Sequence, residues 1–146
     1  KKINIKSNDS KLFINPPYRL DDALKNIGVS LRNKVKKNEL ISELLEAKVM
    51  LIPGHKSEVY CLAAEEAREM CIPIVTMGYG ALSERVVHGV TGFVAKNESE
   101  FINFSLDILN NNETFLRLKK NLLKNKGKRT YKDVSNDLLD ILGINI

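Results

Sequence analysis

Apolar residues recur along this chain in two rhythms. In "KKNELISELLEA" (36–47), Leu40, Ile41, Leu44 and Leu45 fall at helical spacing, whereas "KVMLIPG" (48–54) is a near-continuous apolar run stopped by Pro53 and Gly54. A helix feeding a buried strand is predicted there. The alternation continues: "EVYCLAAEEAREMC" (58–71) predicts a helix, "IPIVTMGYG" (72–80) a buried strand ending in glycines, "SERVVHG" (83–89) a short helix capped by Ser83, and "TGFVAK" (91–96) a strand. Three helices should close the chain, from "SEFINFSLDILNNN" (99–112), the basic stretch after it, and "YKDVSNDLLDIL" (131–142). Residues 1–34 are the least patterned. There "KLFINP" (11–16) predicts a short strand ended by Pro16 and Pro17, and "DDALKNIG" (21–28) a helix closed by glycine.

Strands apolar on both faces, each separated from the next by one helix, predict a doubly wound α/β domain with a parallel sheet covered on both sides. The 146 residues suit one such domain, spanning 1–146, with 113–146 forming carboxy-terminal helices. The composition, 43% hydrophobic and 28% charged, is that of a folded globular protein. No apolar run approaches the ~20 residues a membrane-spanning helix needs. Two cysteines, Cys61 and Cys71, and two histidines do not make a disulfide framework or a zinc site, so no metal is expected and a reducing cytoplasm fits best. The chain opens "KKINIK" without a methionine, and a further segment upstream is expected.

The net charge of +5 is uneven, because "RLKKNLLKNKGKR" (117–129) holds seven Lys and Arg residues and no acid. Phe115, Leu116, Leu118, Leu122 and Leu123 give this stretch an ordinary amphipathic stripe, so it reads first as a solvated helix. Peripheral contact with anionic lipid at the inner face of the membrane is the sharper reading. No nucleic-acid partner is expected.

Parallel α/β sheets bind ligands outside the carboxyl ends of their strands. Two turns therefore carry the candidate chemistry, "PGHKSEVYCL" (53–62) and "MGYGALSER" (77–85). Each leads from a strand to a helix whose first amides lack intrahelical partners, and Gly78 and Gly80 let backbone approach an anion closely. A diphosphate could be held between them. Glu66, early in the following helix, is placed to bridge the hydroxyls of an attached ribose, and Glu58 could reach a sugar beyond the diphosphate. Glu65 reads as surface or interdomain, Glu84 as a charge at its helix's positive end, and His88 as a helix-terminal cap. His55, on the donor-side turn, is a further candidate for contact with diphosphate or sugar.

In order along the chain stand Glu58 and Glu66 as Glu-x(7)-Glu with Ala67 behind them, "IPIVTM", "GALSERV" and "HGVTGFV". From about Val35 to Asn112 the chain thereby resembles the carboxy-terminal domain of retaining GT-B glycosyltransferases. The resemblance implies a Rossmann-like doubly wound sheet with helices on both faces, one half of a GT-B enzyme. It implies a UDP- or GDP-linked hexose donor, no cofactor and no essential metal. Glu66 would bond the ribose hydroxyls, and Glu58, as the catalytic carboxylate, the donor sugar. The amides around Cys61, Leu62, Gly80, Ala81, Leu82 and Ser83 would hold the diphosphate, and backbone near Val35 would meet the base. An acceptor would be held by a missing amino-terminal domain, so this piece alone is expected to be inactive. A non-catalytic nucleotide-sugar-binding or interaction module is the alternative.

Two departures accompany the resemblance. Val59 and Cys61 stand where the family usually has glycine; a side chain at Cys61 could crowd the diphosphate, whereas by chemistry Cys61 and Cys71 read as packing residues. Ala81 stands where the phosphate loop usually has a second glycine, although alanine tolerates positive φ poorly. The basic "GR…KG" stretch of the family is not present in Lys1 to Pro17.

Overall fold

The computed structural model describes residues 12–14, 29–31, 35–126 and 131–143. Strands β1 (Leu12–Ile14) and β2 (Val29–Leu31) pair in parallel. Helix α1 (Lys37–Glu46) leads into β3 (Met50–Ile52), α2 (Leu62–Glu69), β4 (Ile74–Thr76), α3 (Leu82–Arg85) and β5 (Gly92–Val94). Helices α4 (Glu98–Asn110), α5 (Asn112–Asn125) and α6 (Tyr131–Leu142) follow. The predicted strand at the front is therefore observed as β1, whereas the predicted 21–28 helix and the Pro16–Pro17 stop lie outside the described residues. Strand β2 was not anticipated from the pattern.

β3, β4 and β5 form one parallel sheet in that order, with Leu51 opposite Val75 and Val75 opposite Phe93. The period of two along each strand then sends successive side chains to opposite faces. Ile74 joins a cluster with Ala64 and Ala67 of α2 and Leu82 of α3, against which Leu44, Met50, Ile52 and Val94 pack. Val75 and Phe93 enter the other cluster, with Ile108 of α4 and Leu118 of α5. The sheet is thus covered on both faces, as the doubly wound reading requires.

Strand burial departs from expectation at β3. Among β3, β4 and β5, only the central strand β4 is buried along its whole length, whereas the edge strand β3 is half-buried throughout. The basic stretch forms α5, which buries Thr114, Leu118 and Leu122 and leaves Leu116 and Leu123 exposed. Asn111 caps α5 by accepting hydrogen bonds from the amides of Glu113 and Thr114, and Asn97 caps α4 by accepting from Glu100.

Candidate functional site

Because β3 and β4 run parallel, the turns that leave their carboxyl ends emerge on one edge of the sheet. The two turns interlock. The amide of Ala81 donates to the carbonyl oxygen of Glu58 at 2.9 Å, and Met77 N donates to Pro53 O at 3.2 Å. Gly80 has φ +57, and a Cβ there would collide with the Glu58 carbonyl oxygen. Only glycine combines that conformation with that approach. Gly54, with φ +86, likewise leaves room for the side chain of Leu82 beneath it.

The first turn ends where its 53–62 bounds placed it, and the helix expected over 58–71 is shortened at its front. Helix α2 begins at Leu62 rather than at Glu58, because Cys61 takes a left-handed conformation with φ 58 and ψ 74. Glu58 closes the segment: its amide donates to His55 O at 3.0 Å, and its Oε1 accepts from the Cys61 amide at 3.1 Å. The ring of His55 is also folded onto the turn, its Nδ1 accepting from Ser57 N at 3.1 Å. Cys61 is buried within the cluster that includes Ala64, Ile74 and Leu82, so its side chain is committed to the core rather than to the crevice. The expected crowding of a ligand by this side chain is thereby corrected.

The second turn corrects two further expectations. Ser83 is not the cap of α3: the helix starts at Leu82, and the Ser83 hydroxyl donates backwards to Gly80 O at 2.9 Å. Ala81 has φ −59, so replacing a glycine there carries no backbone strain; positive φ falls on Gly78 and Gly80 instead. With a single turn of four residues, α3 has only a small dipole, since aligned peptide units supply it. Its contribution to anion binding is correspondingly minor.

Several amides predicted to face a diphosphate already have partners. Cys61 donates to the Glu58 carboxylate, Ala81 to Glu58 O, Leu82 to Tyr79 O at 3.3 Å and Ser83 to Gly80 O at 3.3 Å. Tight turns satisfy their own donors, which spacing alone does not reveal. Among the described residues, no acceptor faces the amides of Leu62 and Ala63 at the start of α2. Glu66 is exposed and lies four residues beyond Leu62, on the same helix face and about 6 Å further along the axis at 1.5 Å per residue. Val35 is half-buried just ahead of α1.

Sequence reasoning missed the part played by Glu65. Its Oε2 lies 2.7 Å from Arg68 Nη2, and its Oε1 lies 2.6 Å from Arg85 Nη1, with only 15% of its side chain exposed. The three-residue spacing to Arg68 was legible; the partner on α3 was not, being twenty positions away. His88 also differs from expectation. It caps no helix, since α3 ends at Arg85; its Nδ1 sits 3.1 Å from both the amide and the carbonyl oxygen of Val94, and its ring stands edge-on to Phe93 and Phe104.

A groove lined by Leu116, Arg117, Lys120 and Lys124 runs along α5, apart from the two turns. Among the described residues, no group of three His, Cys, Asp or Glu side chains could hold a metal ion, and no helix is long and apolar enough to cross a membrane.

Interlocked turns at the carboxyl edge of a doubly wound parallel sheet mark an α/β domain of the Rossmann-like kind, consistent with one half of a GT-B enzyme. The family profile described as "Glycosyl transferases group 1" matches residues 18–126, most of the chain, and the protein belongs to that family. Comparison with curated proteins finds no match. Glycosyl transfer is thus the activity class of this domain.

Proposed function

We propose that residues 1–146 form the donor-binding domain of a retaining glycosyltransferase, which transfers a hexose from a UDP- or GDP-linked sugar to an acceptor held by an amino-terminal domain. The observation that carries this reading is the pairing of the two turns through Ala81 and Glu58, beside the unpartnered amides of Leu62 and Ala63 and the exposed Glu66. In this reading the start of α2 faces the diphosphate, where negative charge grows as the sugar leaves. Preorganised N–H donors stabilise such charge without a cation, so the reaction needs no metal. Glu66 accepts hydrogen bonds from the ribose hydroxyls. Glu58, the catalytic carboxylate, receives the sugar hydroxyls on the oxygen not engaged by Cys61. His55 and backbone near Val35 flank diphosphate and base.

Calorimetric titration of the chain with UDP, GDP and ADP, repeated with Glu66→Ala, tests the proposal. Binding by one of the three and its loss in the variant are expected; no binding at millimolar nucleotide would overturn it. The isolated chain should bind donor without transferring sugar, and measurable transfer would refute the need for an acceptor domain. Binding without transfer after an amino-terminal domain is supplied would favour the non-catalytic module.

A second reading, peripheral contact with anionic lipid, concerns α5 and is favoured by the exposed Leu116 and Leu123 beside Lys120 and Lys124. It leaves the donor site unchanged and would hold the protein at the inner face of the membrane.

A further inference from the structure

Arg85 touches three segments at once. Its Nη1 lies 2.6 Å from Glu65 Oε1 on α2, its Cζ stands 4.3 Å above the ring of Tyr60 in the first turn, and its own backbone ends α3. The side chains of Arg85 and Glu65 are 24% and 15% exposed, so the charges are screened by solvent less than a surface pair would be. Glu65 Oε1 and Arg85 Nε find no aligned hydrogen-bond partner among the described residues. Carboxylate and guanidinium therefore meet as a close ion pair, with the stack on Tyr60 beside it.

A planar guanidinium can meet a carboxylate at its edge and an aromatic ring at its face simultaneously. Lysine can do the first, but its compact ammonium cannot reproduce the stack. The need for such a tie is local: one helical turn is too short to hold its own orientation, so α3 depends on tertiary contacts. Tyr60 lies between Glu58 and Cys61, the residues joined by the carboxylate-to-amide bond, and Ala81 immediately precedes α3. Arg85 thus ties the Glu58–Cys61 turn to α2 and to the Gly80–Ser83 turn.

We propose that Arg85, acting through Tyr60 and Glu65, is a positioning residue for donor binding: it holds the two turns in register without touching the ligand. This inference rests on the donor-site reading above. Its consequence is that nucleotide affinity responds to a side chain facing neither phosphate nor ribose.

The test measures UDP, GDP and ADP affinity of the full chain by calorimetry, with a thermal melt of every variant, and takes the nucleotide that binds most tightly. Arg85→Leu should weaken binding about tenfold at a temperature where the protein remains folded, the scale of coupling between touching residues. Arg85→Lys should recover part of the loss. Tyr60→Leu should also weaken binding, and adding it to Arg85→Leu should cost little more, because Arg85→Leu already removes the Arg85–Tyr60 contact along with the pair to Glu65; Tyr60 is half exposed, so this variant keeps the arm usable if Arg85→Leu fails to fold. Glu66→Ala separates the two claims. Affinity lost in Glu66→Ala but unchanged in Arg85→Leu and Tyr60→Leu would overturn the positioning role alone, as would a lowered melting temperature with unchanged affinity, or strictly additive effects of the pair. Failure of the unaltered chain to bind any of the three nucleotides would overturn both.

Discussion

The Ala81 amide donates to the Glu58 carbonyl oxygen at 2.9 Å, so that one backbone hydrogen bond joins the turn after β4 to the turn after β3. The neighbouring Gly80 makes this possible by bringing its Cα against the same carbonyl. Gly80→Ala should therefore destabilise the protein by about 1–3 kcal/mol, combining positive-φ strain with displacement of backbone. Chemical denaturation measures the loss, and an unchanged midpoint would show that the turns are not coupled in this way.

Glu66 is exposed and, among the described residues, has no ion-pair partner of the kind Glu65 has. Replacing Glu66 by alanine should leave the melting temperature within the range of ordinary surface substitutions, about ±0.5 kcal/mol. Nucleotide affinity should meanwhile fall by about 1.5–3 kcal/mol, the scale of hydrogen bonds to a charged group. Calorimetry and a thermal melt on the same sample check both halves, and a large fall in stability would mark Glu66 as structural instead.

Cys61 holds a left-handed conformation while its side chain fills the core. Glycine and alanine at this position both remove the thiol, but only glycine releases the backbone strain. Cys61→Gly should therefore exceed Cys61→Ala in stability by about 1 kcal/mol. Equal stabilities of the two variants would show that no strain is stored there.

Leu82 is fully buried beneath the first turn, against Gly54. Leu82→Ala should cost about 2–5 kcal/mol through lost burial and a cavity. The cost should appear in equilibrium unfolding, whereas Leu62→Ala, at an exposed position, should cost well under half as much.

The lipid reading makes its own demand on α5. Co-sedimentation with anionic vesicles should fall when Lys119, Lys120 and Lys124 are changed to glutamine, each such charge near the surface being worth about 1 kcal/mol. Unaltered sedimentation would leave α5 as a solvated helix packed on the sheet.

The order of helices and strands from residue 36 to 142 was legible in the sequence, because apolar spacing reports which side of each element could face a core; α6 keeps that spacing although Val134, Leu138, Ile141 and Leu142 are exposed. That the turns after β3 and β4 meet was legible too: parallel strands send their following turns to one edge, which brings Glu58 beside Gly80 and Ala81. What spacing could not supply was the partner of each polar group. It placed the Cys61, Leu82 and Ser83 amides toward a ligand, whereas the turns consume them. It treated Glu65 as a neighbour of Glu66, whereas the half-buried carboxylate binds Arg68 and Arg85 across two helices. It also left open which way the Cys61 side chain points, and the left-handed backbone turns it into the core. Local periodicity is set by a residue's own few neighbours, and so the sequence determined the elements. Some partners, Ala81 with Glu58 and Arg85 with Glu65, lie twenty or more positions apart, and only the folded sheet brings them within reach; others, such as Cys61 with Glu58, are three positions apart but meet only because the turn adopts its particular backbone conformation.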